Sequence, residues 1–132
     1  MKPQHFVLLL RVTSLSLMAA VLGVLLPHQV MDWGHQMVGL GPLGPDPMFF
    51  YLARSVSGLY AILGFMLWIM AGDIERYRPL LALLGWIATI GGCSIGLIGA
   101  AEGLPWYWWA GEGPMTTILG LVVLAGLQRR EQ

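Results

Sequence analysis

Charge is scarce in this sequence and cysteine is almost absent. Only 11% of its 132 residues are Asp, Glu, Lys or Arg, against about 25% in soluble domains. Seven Lys and Arg balance seven Asp and Glu, so there is no basic face to follow a phosphate backbone, and a nucleic-acid partner is excluded. The single Cys93 excludes a disulfide framework. The sequence contains no Walker loop and no HExxH pair. Its one G-x-S-x-G match, Gly92-Cys93-Ser94-Ile95-Gly96, and one G-x-G-x-x-G match, Gly39-Leu40-Gly41-Pro42-Leu43-Gly44, lie inside an apolar stretch and in a proline-broken loop, not at the strand-to-helix turn those motifs need. Its apolar stretches place no histidine near their serines, which argues against a hydrolase and against a bis-histidine haem. The chain reads as a non-enzyme without a metal. What it has in quantity is apolar surface: 57% of residues are hydrophobic and the mean hydropathy is +0.71. A soluble domain of this size leaves too much surface wet to hide so many apolar side chains. The composition is that of a polytopic membrane protein.

Four apolar stretches carry this signal. The first runs from about Phe6 to Leu26 and ends at Pro27. It resembles a signal peptide, but no clean small-x-small cleavage pattern follows it and the run is long, so it reads as a retained helix. The second opens at Asp46-Pro47, a carboxylate cap followed by proline in the first turn, and continues to Ala71. The third runs from Pro79 to Ala101. The fourth opens at Pro114 and ends near Leu127, which makes it about 21 Å long at 1.5 Å per residue. Crossing the hydrocarbon takes about 20 residues. The fourth stretch must therefore thin the bilayer, begin earlier or be sheltered by its neighbours.

The cations set an orientation. Lys2, Arg11, Arg76, Arg78, Arg129 and Arg130 belong to the N-terminus, the second connection or the C-terminus, and the loops 27–46 and 102–113 contain none. The positive-inside rule then places both termini in the cytoplasm and these two loops outside. The loop Gly39-Leu40-Gly41-Pro42-Leu43-Gly44-Pro45 cannot be regular helix.

Arg54 is the exception among the cations. It lies seven positions past Pro47, roughly 10 Å into a span, where an ionisable group is costly and faces the bundle interior. Arginine does not escape by losing its proton, so it needs an anion. Glu102, which closes the third span, is the first partner to expect, and Glu112 the second. Two readings stay open: a structural ion pair or a snorkelling side chain, and an anion-binding site. Tyr51, Arg54, Ser57, Gly58 and Ala61 share one face at helical spacing, which suits either helix packing or a small cavity.

Gly85, Gly92 and Gly99 recur at spacing seven on the third stretch, with Gly92, Gly96 and Ala100 at spacing four. Such small faces let backbones approach closely. They serve either as an intersubunit seam or as packing against the chain's own helices, which offer Thr13, Ser16, Ala20, Gly23, Thr116 and Gly120. The run Trp106-Tyr107-Trp108-Trp109 reads as an interfacial anchor. His28 and His35 lie near Asp32, but Gly34 between them breaks any regular ligand geometry.

Three segments, Tyr51-Leu52-Ala53-Arg54-Ser55, Asp73-x-x-Arg76-Tyr77-x-Pro79 and Gly103-Leu104-Pro105-Trp106 to Gly111-Glu112-Gly113-Pro114, resemble features of small four-span bacterial inner-membrane proteins of uncharacterised activity. The likeness covers about residues 48 to 127. It implies a bacterial inner membrane and says nothing of mechanism. The fold expected is an all-α, antiparallel four-helix transmembrane bundle forming a single domain. The function expected is that of an accessory or structural subunit of a larger membrane complex. Its partners would be membrane lipids and other integral membrane subunits, or further copies of itself. A homo-oligomeric carrier or channel for a small anion or metabolite, with Arg54 at its site, is the alternative. A quinone- or lipid-binding redox helper comes third; a bound lipid or quinone is the only cofactor left open.

Overall fold

The computed structural model describes residues 3–129, and all regular structure among them is helical. Lys2, Arg130 and Glu131, which enter the charge argument, lie outside the described residues. The helices are α1 (Pro3–Met18), α2 (Val21–Leu25), α3 (His28–Met37), α4 (Pro47–Met70), α5 (Arg78–Ala101) and α6 (Trp106–Gln128). Four helices are long and apolar enough to cross a membrane: Gln4–Leu25, which joins α1 and α2, then α4, α5 and α6. Between α1 and α2 the amides of Ala20, Leu22 and Gly23 bond three residues back, to Leu17, Ala19 and Ala20. The helix tightens there without being interrupted by a loop.

Two expectations are corrected. The fourth helix does not open at Pro114 but at Trp106, with Pro114 inside it. This extends it to 23 residues, about 34 Å, and removes the shortfall in length. The expected loop 102–113 shrinks to the residues between α5 and α6. Proline is tolerated in the interior of an apolar helix where neighbouring segments satisfy the carbonyl it frees, so its presence does not mark a start. The expected loop 27–46 also holds a helix, α3, which runs through Gly34. Within it, irregular backbone is confined to Pro27 and the residues that follow α3.

The turns have local causes. Both α3 and α5 end on a glycine with positive φ, Gly39 at 78° and Gly103 at 72°. At α5 the amide of Leu104 bonds the Gly99 carbonyl and that of Gly103 bonds Ala100. At α3 Leu40 bonds His35 and Gly39 bonds Gln36 in the same way. This paired closure absorbs the last free carbonyls of a helix and needs a residue without a Cβ penalty at the left-handed position. Pro105 then precedes the first turn of α6. At α4 the Asp46 side chain accepts from the Met48 amide at 2.9 Å, and Pro47 fills the first helical position.

The chain divides into two compact units. One contains Val7–Gly72; the other contains α5 and α6 with the start of α1 through Phe6. Within the α5–α6 unit the two helices meet in reversed order along a glycine seam. A Cβ on Gly85 would lie 2.9 Å from Leu124 Cγ, one on Gly92 2.5 Å from the Thr117 amide nitrogen, and one on Gly99 2.7 Å from Trp109 Cβ. The opposite side of the seam is equally bare: a Cβ on Gly113 would press on Gly96 Cα at 2.7 Å, and one on Gly120 on the Gly85 carbonyl at 2.6 Å. Gly126 faces the Phe6 ring, with no room for a Cβ. Within the Val7–Gly72 unit, α1–α2 runs against α4. Gly64 sits on the Ser14 carbonyl and the Met18 amide, and Gly23 on the Ser57 hydroxyl. The buried Ser14 hydroxyl donates to the Gly64 carbonyl at 2.8 Å.

Candidate functional site

Arg54 is held on α4 where α2 ends. Its Nη2 donates to the carbonyl of Leu26 at 3.1 Å, and Leu26 is the residue that caps α2. The last carbonyls of a helix have no amide partner and carry a partial negative charge, so an arginine placed against them is favourable. The two carboxylates of the same unit are committed elsewhere. Asp32 accepts from the Leu43 amide at 2.6 Å and from Gln36 Nε2 at 2.7 Å, and Asp46 caps α4. Nε of Arg54 is buried with no hydrogen-bond partner among the described residues.

The same device recurs. Arg78, at the start of α5, donates from Nη2 to the carbonyl of Leu127 near the end of α6 at 2.7 Å. Arg11 stands eight residues past Pro3 on α1, with its guanidinium carbon 3.9 Å from the centroid of the Trp68 ring near the end of α4. Arg11 therefore joins Arg54 as a cation within an apolar helix, where hydropathy alone groups it with the terminal charges. In antiparallel pairs the start of one helix lies beside the end of its neighbour. Arg54 and Arg78 use this proximity to satisfy a neighbour's unpaired carbonyl.

Above Arg54, α3 and the segment after it form an ordered cap. The His28 ring stacks on Phe50 with centroids 3.9 Å apart, and His35 meets Phe49 edge-on. His35 Nδ1 donates to the Gly41 carbonyl at 2.7 Å. Asp32 gathers Leu43 from eleven residues further on. Each histidine and the aspartate thus has a structural task in folding the cap down onto α4. Long-range pairs of this kind leave no local spacing to be read.

The other candidates fall as follows. Glu102 caps α5 and Glu112 lies in the second turn of α6, both exposed. Both belong to the unit that does not contain Arg54. Gly85, Gly92, Gly96 and Gly99 face α6. Of the Trp106–Trp109 run, Trp106 is 72% exposed, whereas Trp109 packs its Cβ against Gly99. The run is the first turn of α6 rather than a loop. On α4, Ser57 and Gly58 face α2 through Gly23 and Val24, but Tyr51 is 66% exposed and leaves that face. Gly113 is the seam residue that the sequence reading passes over. Its spacing of seven from Gly120 is the available signal, hidden when Pro114 is taken as the helix start.

The polar side chains within the helices close on nearby backbone. Thr89 donates to Gly85, Ser94 to Ile90 and Thr117 to Gly113, each at 3.0 Å or less. The arrangement can bind helix to helix and helix end to arginine; among the described residues these hydroxyls bond backbone rather than a base. No protein-family model matches the chain, and no curated protein and no solved structure matches it either.

Proposed function

We propose that the chain is a small, non-catalytic, multi-pass protein of a bacterial inner membrane, with both termini cytoplasmic, that serves as an accessory subunit of a larger membrane complex. The observation that carries this reading is a stripe on α5. Leu83, Ile87, Ile90 and Leu97 stand 54–74% exposed, spaced four, three and seven apart on the side away from the glycine seam. That is the spacing of one helix face offered to another helix. The seam glycines are consumed within the α5–α6 unit, which leaves this larger-residue stripe as the surface for a partner helix. Polar groups that bond their own backbone support a structural rather than a chemical role. A cysteine pair placed at position 90 or 97 and a candidate neighbour decides the matter. Extraction in a mild detergent followed by crosslinking through Ile90→Cys should yield a defined heteromeric product. A chain that migrates alone after this treatment overturns the reading.

A second reading has its own observation. The buried, unpartnered Nε of Arg54 is a donor that lacks an acceptor, and an anion passing through an oligomer would supply one. The prediction is anion flux in proteoliposomes that Arg54→Gln abolishes. Flux no greater than that of empty liposomes removes it. If Arg54 instead pairs with Glu102, the double change Arg54→Leu with Glu102→Gln restores the stability that either single change loses.

A further inference from the structure

The mouth of a second feature lies at the opposite end of the α5–α6 unit from the Trp run. A groove of 620 Å³ opens between α5 and α6, with Arg78 and Gln128 at one end and Trp86 and Leu121 at the other. This volume falls in the range of small-molecule sites, about 300–1,000 Å³. From Arg78 to Trp86 the groove follows α5 for about 12 Å, and from Gln128 to Leu121 it follows α6 for about 10 Å. Ala82 and Ala125 open it by their short side chains, and Trp86 and Leu121, both at least half exposed, are its apolar walls. The slot is thus cationic and polar at its mouth and apolar along its length.

We infer that this groove holds one anionic phospholipid, its phosphate at Arg78 and the upper part of an acyl chain between Trp86 and Leu121. The groove lies between two helices already packed on each other, so it offers a methylene chain more contact than it offers a further helix of about 10 Å diameter. The charge at the mouth selects the headgroup. Arg78 keeps its bond to the Leu127 carbonyl, and the lipid phosphate takes the place of Glu75, whose carboxylate stands 3.9 Å from Nη1 and is mostly exposed. A phosphate accepts charge-assisted hydrogen bonds from a guanidinium at shorter range than that. Arg129, exposed one residue beyond Gln128, adds a second cation at the same end. A zwitterionic lipid gains less there, because its own ammonium opposes both arginines. The inference rests on the chain lying in a membrane and not on its having a protein partner.

The test uses the full chain, purified and stripped of lipid, with native mass spectrometry counting the lipid retained from mixed micelles. Phosphatidylglycerol should be retained at least about tenfold better than phosphatidylcholine of the same chain length, as expected for a charge-assisted contact. Ala125→Trp fills the slot without touching Arg78 and should abolish retention of phosphatidylglycerol while the helical content is unchanged. Arg78→Lys should retain lipid and Arg78→Gln should lose the preference for the anionic headgroup. Equal retention of the two lipids, or retention indifferent to Ala125→Trp, overturns the proposal. Displacement of the lipid by glycerol phosphate alone overturns the acyl-chain half of it, because the site is then one for a free phosphate. Alkaline carbonate extraction of cell membranes keeps the failures apart: a chain released by carbonate refutes the membrane reading itself, and a chain retained by it that ignores lipid refutes only the groove.

Discussion

The two compact units solve the same problem by different means. In the α5–α6 unit, two long helices are joined by Glu102-Gly103-Leu104-Pro105 and meet along a glycine seam: Gly85 against Gly120 and Leu124, Gly92 against Gly113 and Thr117, and Gly99 against Trp109. In the Val7–Gly72 unit, the helices are separated by a long connection with a helix of its own. Their contacts include more side-chain fastenings: Ser14 on Gly64, Arg54 on Leu26, Arg11 on Trp68. Without water to drive apolar surfaces together, helices in lipid associate by close packing or by hydrogen bonds. Each unit has an arginine on a neighbour's carbonyl, Arg78 on Leu127 and Arg54 on Leu26. Beyond that the first relies mainly on shape, and the second adds a buried hydroxyl bond between helices and a cation over an aromatic ring. The short turn explains the division, because it fixes the register of α5 and α6 before any side chain is chosen. The long connection does not fix the register, and specific polar contacts supply it.

The largest expected effect therefore falls on the glycine seam. Gly92→Leu puts a side chain where a Cβ alone would lie 2.5 Å from the Thr117 amide nitrogen and 2.7 Å from the Gly113 carbonyl. Neither atom is a flexible side-chain end, so the helices must part. Overpacking of this kind costs about 3 kcal/mol, and thermal unfolding in detergent should show a lowered midpoint. The neighbour Gly91 provides the control, since nothing lies within 4 Å of a Cβ built there. Gly91→Ala should leave the midpoint unchanged or raise it, alanine being the better helix former by about 1 kcal/mol. Equal loss at both positions would mean that the loss at Gly92 does not come from the seam contact.

The next effect lies in the fastening of the other unit. Asp32 holds both Gln36 and the Leu43 amide, and through Leu43 it anchors the irregular segment that leads into α4. Asp32→Ala removes two hydrogen bonds to a charged acceptor and should cost about 2 kcal/mol. The readout is local: protease cleavage within residues 38–46 should quicken while cleavage between α5 and α6 does not. Uniform protection after the change would mean that the His28 stack on Phe50 and the edge contact of His35 with Phe49 suffice to hold the cap.

This contrast also explains which features are legible in the sequence. Asp46-Pro47 and the close of α5 at Glu102 are local instructions, and the structure shows what they say. The restart at Pro105 is equally local but is passed over when the whole of 102–113 is taken as loop. Pro114 misleads because a proline is equally compatible with the start of a helix and with the interior of an apolar one. Gly34 misleads because a lone glycine weakens a helix without ending it. The cap is the least legible part. His28 on Phe50 and Asp32 on Leu43 are pairs whose spacing has no periodic signature, so they emerge only from the fold. The position of Arg54 inside an apolar helix is evident from the sequence, and so is its need for negative charge. That a helix terminus supplies part of it is not, because backbone carbonyls carry no residue name.

The smallest effect tests how much a single polar fastening contributes. Ser14 is fully buried and its hydroxyl donates to the Gly64 carbonyl across the α1–α4 contact. Ser14→Ala deletes that bond but leaves Gly64 able to accept within its own helix, so no buried group is stranded, and the loss should be only about 1 kcal/mol. Ser94 provides the comparison: it bonds Ile90 one turn back on its own helix and is exposed. Ser94→Ala should leave the unfolding midpoint where it is. A drop at position 14 with none at position 94 assigns the contribution to the bond between helices rather than to the hydroxyl as such. If neither change moves the midpoint, α1 and α4 are held by the close approach at Gly64, and the two units rely on the same kind of packing after all.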